Sequence, residues 1–508
     1  MSSITIDSPV FPADSKPVAQ VHAVPVEEII YTEGSDDGVA NLVRRMYGHR
    51  IAYLSKMDEF RVFDPGAWKW KVDALYEVRN MVAASMYVLK KAAAAEGMDT
   101  DMGKRLMRVS TTYLNASRLE AVCRRLADHP DIRTAVEDWD ANGDLTLFAD
   151  GWVVNMKTGL VRRPRPEDRL TASLGIRKPR DFNKSLDDSP MMKALSEILE
   201  GVDPEMVQYL RKSVFYTLLG AKAWKAWFTV WGPPNTAKST LLKIIKKLAG
   251  DYGHALNFSS FEDDGNAERR FDLAGLMGKR YAMIDESAQD KALDAKRMKW
   301  VTGGTDLKVE KKYRDPFEIR SEFAVWLGTN YKPRLKNDDG AVWARLRLFT
   351  LQRVFKVNPE FEKQLLSDKN LEDFFLWVWG AKEAYWSEGI GTIPESMDLG
   401  LEEYRKETDW LGMWLEEELE PCAPEEGEYL MELYQALEFW MKIRGFIKWR
   451  PTYLDFLSRL RERGLDTTKR RRQVGKGDKK FAYLPGCRLR VGADRIDLES
   501  FPREIKLS

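Results

Sequence analysis

A lysine and a serine side by side, Lys238 and Ser239, sit near the end of the run Gly232-Pro233-Pro234-Asn235-Thr236-Ala237-Lys238-Ser239-Thr240. That order of residue types suits triphosphate chemistry. A lysine there reaches the β and γ phosphates, a serine hydroxyl ligates Mg2+, and a loop of small residues turns its backbone N–H groups inward around the anion. Glycine usually precedes such a lysine, and here Ala237 stands in its place. Its methyl group either crowds the phosphates or fits harmlessly at negative φ. Downstream, Asp285 and Glu286 follow the apolar run Tyr281-Ala282-Met283-Ile284. Asp285 is the second candidate Mg2+ ligand, and Glu286 is placed to polarise an attacking water. Asn330 follows a third apolar run, Phe323-Ala324-Val325-Trp326-Leu327, where its amide can hold that water and sense the γ-phosphate.

Two further groups are cationic. Leu307 and Val309, then Phe317 and Ile319, alternate as the arms of a hairpin whose tip carries Lys311, Lys312, Tyr313 and Arg314. Such a tip suits a single nucleic-acid strand, charge for the phosphates and a ring for stacking, or is a solvated turn. Arg345 and Arg347 project to one face of a strand predicted over Ala344–Phe349. An arginine reaches its own phosphate loop across a sheet with difficulty, whereas a neighbouring subunit can supply one, which implies ATP sites at the interfaces of a ring. Arg345 is the candidate finger, with Arg347 as a salt-bridge partner.

These groups must be aimed by buried strands and by a helix that turns its positive N-terminus to the anion. Trp227–Trp231 reads as the strand before the loop, and Leu241, Leu242, Ile244, Ile245 and Leu248 as the buried face of the helix after it. Strands that deliver polar groups from their carboxyl ends predict an open α/β sheet with its ligand crevice there.

At 508 residues the chain exceeds one core, so several domains are expected. No apolar run is long enough to span a bilayer and the N-terminus carries no signal pattern, so the cytoplasm is the expected compartment, with no membrane partner. Three scattered cysteines and four histidines argue against a disulfide framework or a zinc site. A net charge of +1 confines any nucleic-acid contact to a pore or patch.

In order, 1–38 reads as a flexible tail and 39–185 as an N-terminal α+β domain. In it, strands are expected at Ile51–Tyr53, Phe60–Phe63 and Trp68–Trp70, and helices over Val72–Glu96 and Leu119–Leu126. Asp138 to Asp144 has the spacing of a calcium loop, but Ala149 stands at the closing glutamate position, and a turn into the strand Leu145–Phe148 is the better reading. Arg162-Arg163-Pro164-Arg165 is a solvated run or a DNA contact. Residues 186–222 form a helical collar, 223–356 the ATPase core, and 357–408 a helical segment and linker that includes a Trp-rich helix over Phe374–Trp386. In 409–495, three helices and a basic hairpin suggest a winged-helix plan or a helical protein-docking module; 496–508 is a tail.

Taken together these motifs resemble the superfamily 3 helicases of viruses, phages and plasmids, which are AAA+ ATPases. The loop Gly232–Ser239, the hairpin Val309–Arg314 and the placing of Arg345 resemble the papillomavirus replicative helicase. Asp138 to Thr171, with Gly151-Trp152-Val153-Val154-Asn155, and Asp339-Gly340-Ala341-Val342-Trp343-Ala344-Arg345 look like the phage and plasmid helicases related to the poxvirus primase-helicase. That family pairs arginines where this chain has Ala344-Arg345. The resemblance implies an ATP-dependent, Mg2+-dependent DNA helicase in replication, a hexameric ring moving 3′ to 5′ on single-stranded DNA, acting on forked DNA with primase, polymerase or origin-binding partners. A loader that spends ATP only on assembly, or a motor acting on protein, are the other readings.

Overall fold

The computed structural model describes residues 34–73, 76–220, 222–262, 273–285, 292–304, 306–309, 316–335, 340–356, 358–423, 426–444, 451–465, 467, 471–473 and 480–490. They divide into two compact units, one drawn from Met1–Ala288, Leu293–Lys332 and Asp339–Met397, the other from Gln289–Ala292, Pro333–Asp338 and Asp398–Ser508.

The first unit opens with helix α1 (Asp36–Tyr47), capped by the Ser35 side chain. It begins inside the stretch expected to be a tail. The signal was local: a serine N-cap, Asp36 and Asp37 in the first turn, then Val39, Leu42, Val43 and Met46 at helical spacing. Strands β1 (Ile51–Leu54), β2 (Glu59–Asp64), β3 (Lys69–Val72) and β4 (Arg133–Thr134) make one sheet, ordered β3-β2-β1-β4. Between β3 and β4 run α2 (Tyr76–Glu96), α3 (Asp101–Thr112) and α4 (Ala116–Asp128). Helix α3, with Thr100 as its cap, was not expected from the sequence. Val39, Val82, Leu89, Leu106, Val122 and Leu126 fill a core shared by α1 to α4 and the sheet.

A second small sheet, β5 (Leu145–Leu147), β6 (Val153–Asn155) and β7 (Val161–Arg162), follows as antiparallel neighbours. The residues offered as a calcium loop hold this fold together. Asp140 accepts from the Thr171 backbone N–H and hydroxyl at 2.9 and 2.5 Å, and Asp138 pairs with Arg169 at 2.8 Å. The basic run is similarly spent: Arg162 forks onto Asp168 with two 2.7 Å bonds. Arg163 lies over the rings of Trp152 and Trp68 and donates to the carbonyls of Asp150 and Gly151.

Helices α5 (Pro190–Ile198) and α6 (Pro204–Leu218) lead into the central sheet. Its strands are β8 (Trp227–Trp231), β9 (Gly253–Leu256), β10 (Tyr281–Asp285), β13 (Ala324–Thr329) and β14 (Leu346–Thr350), ordered β14-β8-β13-β10-β9 and parallel throughout. The fold is therefore mixed α/β around a parallel sheet. Strands buried on both faces read as continuous apolar runs, as Trp227–Trp231 does. Phe228, Trp326 and Phe349 stack across three neighbouring strands, Phe228 and Trp326 with centroids 4.5 Å apart. Between β10 and β13, β11 (Leu307–Val309) pairs antiparallel with β12 (Phe317–Ile319), the arms of the expected hairpin.

Arg280, just before β10, is buried and joins the two sheets. It donates to Thr146 Oγ1 and the Leu218 carbonyl at 2.7 Å and to the Leu145 carbonyl at 2.8 Å, and lies over the Tyr252 ring. After β14 come α8 (Pro359–Leu365), α9 (Asp368–Trp379) and α10 (Lys382–Glu388). The last two replace the single Trp-rich helix expected there, divided at Gly380 and Ala381.

The second unit contains α11 (Trp410–Glu418), α12 (Leu430–Ile443) and α13 (Tyr453–Glu462) with β15 (Leu419–Pro421), β16 (Gly427–Tyr429), β17 (Arg471–Gln473), β18 (Lys480–Pro485) and β19 (Cys487–Leu489). The pairs β15–β19, β16–β18 and β17–β18 are antiparallel, and β17 with β18 forms the arms of the basic hairpin. Trp414, Leu437, Phe456 and Leu484 share its core. Among the described residues no helix is long and apolar enough to cross a membrane.

Candidate functional site

Helix α7 (Lys238–Ala249) begins where β8 ends, after the short loop from Gly232. Leu241, Leu242, Ile244, Ile245 and Leu248 are buried, so packing fixes the helix and aims its N-terminus. Gly232 is required by a close approach: a Cβ there would stand 2.1 Å from the Leu351 carbonyl oxygen. Two non-glycine residues of the loop adopt left-handed backbone, Asn235 at φ 63° and Ala237 at φ 61°. For Ala237 this corrects the negative φ considered above. The turn into α7 demands a positive φ, and alanine adopts it at a cost of about 1–2 kcal/mol.

Lys238 is buried and folds back over its own loop, donating to the carbonyls of Gly232 (2.8 Å) and Pro233 (2.6 Å) and to Thr236 Oγ1 (3.1 Å). Burial holds its ammonium below the ordinary value, and the Asp285 carboxylate partly offsets this. Ser239 donates its hydroxyl to Asp285 Oδ1 at 3.0 Å. The adjacent ends of β10 and β13 thus face the first turn of α7. Gly328 keeps that junction close, since a Cβ would meet Leu242 at 2.7 Å.

These residues line one cavity of about 940 Å3. Pro234 to Thr240, Asp285 and Asn330 bound its polar end, and Ala194, Ile198, Phe355, Leu365 and Leu366 provide an apolar wall. Thr240 donates to Glu362 at 3.2 Å, and Lys243 pairs with the same carboxylate at 2.7 Å. The Phe355 N–H donates to the Asn235 carbonyl at 2.8 Å. Phe355 and Glu362 were not singled out from the sequence. The Asn358-Pro359 start of α8 was the available signal, because asparagine caps and proline opens a helix.

Such a site can hold an anion against N–H groups and an ammonium, with a hydroxyl and a carboxylate beside it and an apolar wall for a flat ring. Arg345 is half-buried just before β14, donates to the Ala341 carbonyl at 2.5 Å, and is outside the residues that line the cavity. Arg347 was expected to share its face. Instead it is buried, its Nε 2.8 Å from the Tyr209 hydroxyl and its Nη1 on the Ala344 and Leu346 carbonyls. The β14 run is covered on both sides, so its apparent alternation did not mark an exposed face. Glu286, Lys311, Lys312, Tyr313 and Arg314 lie outside the described residues.

A family model described as D5 N terminal like matches residues 40–199, and a family of unknown function, DUF5906, matches residues 230–345. The chain is similar to the putative helicase L207/L206 of Acanthamoeba polyphaga mimivirus, 21% identical over 438 residues, 76% of this chain and 45% of that protein. It is also similar to the putative helicase 184R of Invertebrate iridescent virus 6, 26% identical over 232 residues, 43% of this chain and 23% of that protein. The chain thus spans less than half the length of the curated relatives it matches. Two apo structures of the NrS-1 C terminal region align with TM-scores of 0.42 and 0.41 at 11% identity, over 86% of this chain and 96% and 95% of theirs. The D5 N terminal like match and the two viral relatives support a helicase-related family, and the two family models fall on the N-terminal segment and on the stretch that carries the loop.

Proposed function

We propose that the chain is an ATP-dependent DNA helicase of the superfamily 3, AAA+ type, working in the replication of a phage, plasmid or virus. The observation that carries this reading is the Ser239–Asp285 hydrogen bond beside Lys238, at the carboxyl ends of parallel strands. A strand order of fifth, first, fourth, third, second in chain order supports a P-loop core of the AAA+ kind. The helicase names of the viral relatives support the substrate.

On this reading the Gly232–Thr240 loop and Lys238 bind the ATP phosphates, Lys238 exchanging its loop carbonyls for phosphate oxygens. Ser239 and Asp285 offer hard oxygen donors within one hydrogen bond of each other, a set that fits Mg2+. The ion, when bound, neutralises phosphate charge. Glu286 polarises the attacking water and Asn330 orients it. Arg345 serves the site of a neighbouring subunit in a hexameric ring, consistent with its place outside its own cavity. Turnover shifts the β11–β12 hairpin, whose Lys311, Lys312, Tyr313 and Arg314 grip single-stranded DNA and draw it 3′ to 5′. The three helices and basic hairpin of the second unit act as a winged-helix-like module for forked DNA or a primase, polymerase or origin-binding partner.

Strand displacement from a labelled fork tests the reading. ATP-dependent unwinding is expected, and Lys238→Ala, Glu286→Gln and Arg345→Ala should each abolish it. DNA-stimulated assembly without displacement would favour the loader, a reading supported by the strained Ala237. Hydrolysis indifferent to DNA would favour a protein motor.

A further inference from the structure

The helical bundle of the first unit divides its charges unevenly. On α1 and α4 the arginines are matched: Arg44 pairs with Asp131, Arg118 with Asp36 and Arg125 with Asp37. On the α2–α3 hairpin only Arg79, paired with Glu120, is matched among the described residues. Lys90, Lys91, Lys104, Arg105 and Arg108 have no carboxylate within ion-pair distance among the described residues, although Glu96, Asp99 and Asp101 cluster at the connecting turn. Lys104, Arg105, Arg108, Thr111 and Thr112 are all exposed and recur at the spacing that puts them on one face of α3. Its other face, Leu106, Val109 and Gly103, is buried. Gly103 brings the helices together, since a Cβ would meet the Gly97 carbonyl at 2.1 Å.

Lys104 and Arg108 line a shallow groove of about 420 Å3 with Met98, Met107, Thr111 and Thr112. On α2, Tyr87 is 58% exposed, with the Lys90 ammonium 5.8 Å from its ring centroid. Cations held on a rigid helix without counter-charges retain their full attraction for a polyanion, and the exposed Tyr87 of the neighbouring helix offers a ring for stacking. A chain of net charge +1 gains no general attraction of this kind, so the face is a local feature.

We propose that the α2–α3 face is a nucleic-acid docking surface, separate from the β11–β12 hairpin, that engages the phosphate backbone through Lys91, Lys104, Arg105 and Arg108 without reading bases. It does not depend on the motor reading, because docking needs neither the cavity nor its turnover.

The test is fluorescence anisotropy of the full chain on labelled single-stranded and duplex DNA over a salt series, with the triple variant Lys104→Glu/Arg105→Glu/Arg108→Glu. Each phosphate contact contributes about 0.9 to the log–log salt slope, so the variant is expected to flatten that slope by roughly 2–3 and to weaken binding at least tenfold near 0.1 M salt. Hydrolysis without DNA should be unchanged and, these positions being exposed, so should the melting midpoint. A preferential loss on single strands in Tyr87→Ala assigns the surface to single-stranded DNA, and equal losses on both substrates assign it to the backbone in either form. Wild-type affinity and slope in the triple variant would overturn the proposal while leaving the motor reading intact. Lost binding with no unwinding in the wild type would do the reverse. Unchanged DNA binding with lost affinity for poly-glutamate would assign the face to an acidic polypeptide and also overturn it.

Discussion

At the scale of single residues, Ala237 and the pair Arg345 and Arg347 separate what sequence spacing can and cannot say. A methyl-bearing residue at φ 61° stores strain that glycine would relieve. Ala237→Gly should therefore stabilise the nucleotide-free chain by about 1 kcal/mol, a rise of roughly 1–3 °C in melting midpoint. A lower midpoint would show that the strain lies elsewhere. Arg345 and Arg347 are two positions apart, yet their surroundings assign them different work. Removing Arg347 takes the donor from the Leu346 carbonyl and the Tyr209 hydroxyl in a buried site, at a cost of about 2–4 kcal/mol. Arg347→Ala should thus lower unfolding stability, whereas Arg345→Ala should leave it within about 0.5 kcal/mol and remove hydrolysis. Equal destabilisation by both would end that distinction.

At the scale of elements, the arms that carry the hairpin stand on an unusual base. Glu322, between β12 and β13, has its carboxyl pushed up to about 7 by burial, with Arg320 and Arg280 acting in the opposite direction. An unfolded glutamate titrates near its ordinary value of about 4.3. Between those values the folded chain holds a proton that the unfolded chain releases, so this contribution is fully present below about 4.3 and is lost as pH rises through about 7. Glu322→Gln should be more stable than the wild type at pH 8 by about 1–3 kcal/mol, with the difference vanishing by pH 4. Denaturant unfolding at several pH values measures it, and a gap independent of pH would contradict the assignment. The strands of the central sheet were legible because burial on both faces writes them as unbroken apolar runs, and α7 because its buried positions follow helical spacing. What stayed illegible depends on distant partners. Nothing near Arg280 in the chain announces that it will meet Thr146 and Leu218, and nothing near Phe355 announces Asn235. The left-handed turn at Ala237 was hidden because alanine seldom adopts it.

At the scale of the whole molecule, the proposed ring makes a demand that one subunit cannot meet. If Lys238 acts within its own cavity and Arg345 acts on a neighbour's, Lys238→Ala and Arg345→Ala subunits are defective in different halves of a shared site. Mixing the two inactive proteins should then restore measurable hydrolysis, because some interfaces join an intact loop to an intact arginine. Mixed assemblies that form, as judged by sedimentation, and stay inactive would exclude a finger acting between subunits.

Helix α7 ends as tightly held as it begins. Past its last turn, a Cβ on Gly250 would meet the Gly175 nitrogen at 2.3 Å, while the Gly175 N–H donates to the Leu248 carbonyl and the Asp251 N–H to the Ser173 carbonyl, each at 2.9 Å. Lys69 of β3 and the Ser173 hydroxyl both bind the Asp251 carboxylate. A twelve-residue helix about 18 Å long is thus a strut with Lys238 at one end and the segment beside β3 riveted to the other. On the proposed reading, a tilt of its front on nucleotide binding would load the Asp251 contacts to Lys69 and Ser173, the direct link from α7 to β3.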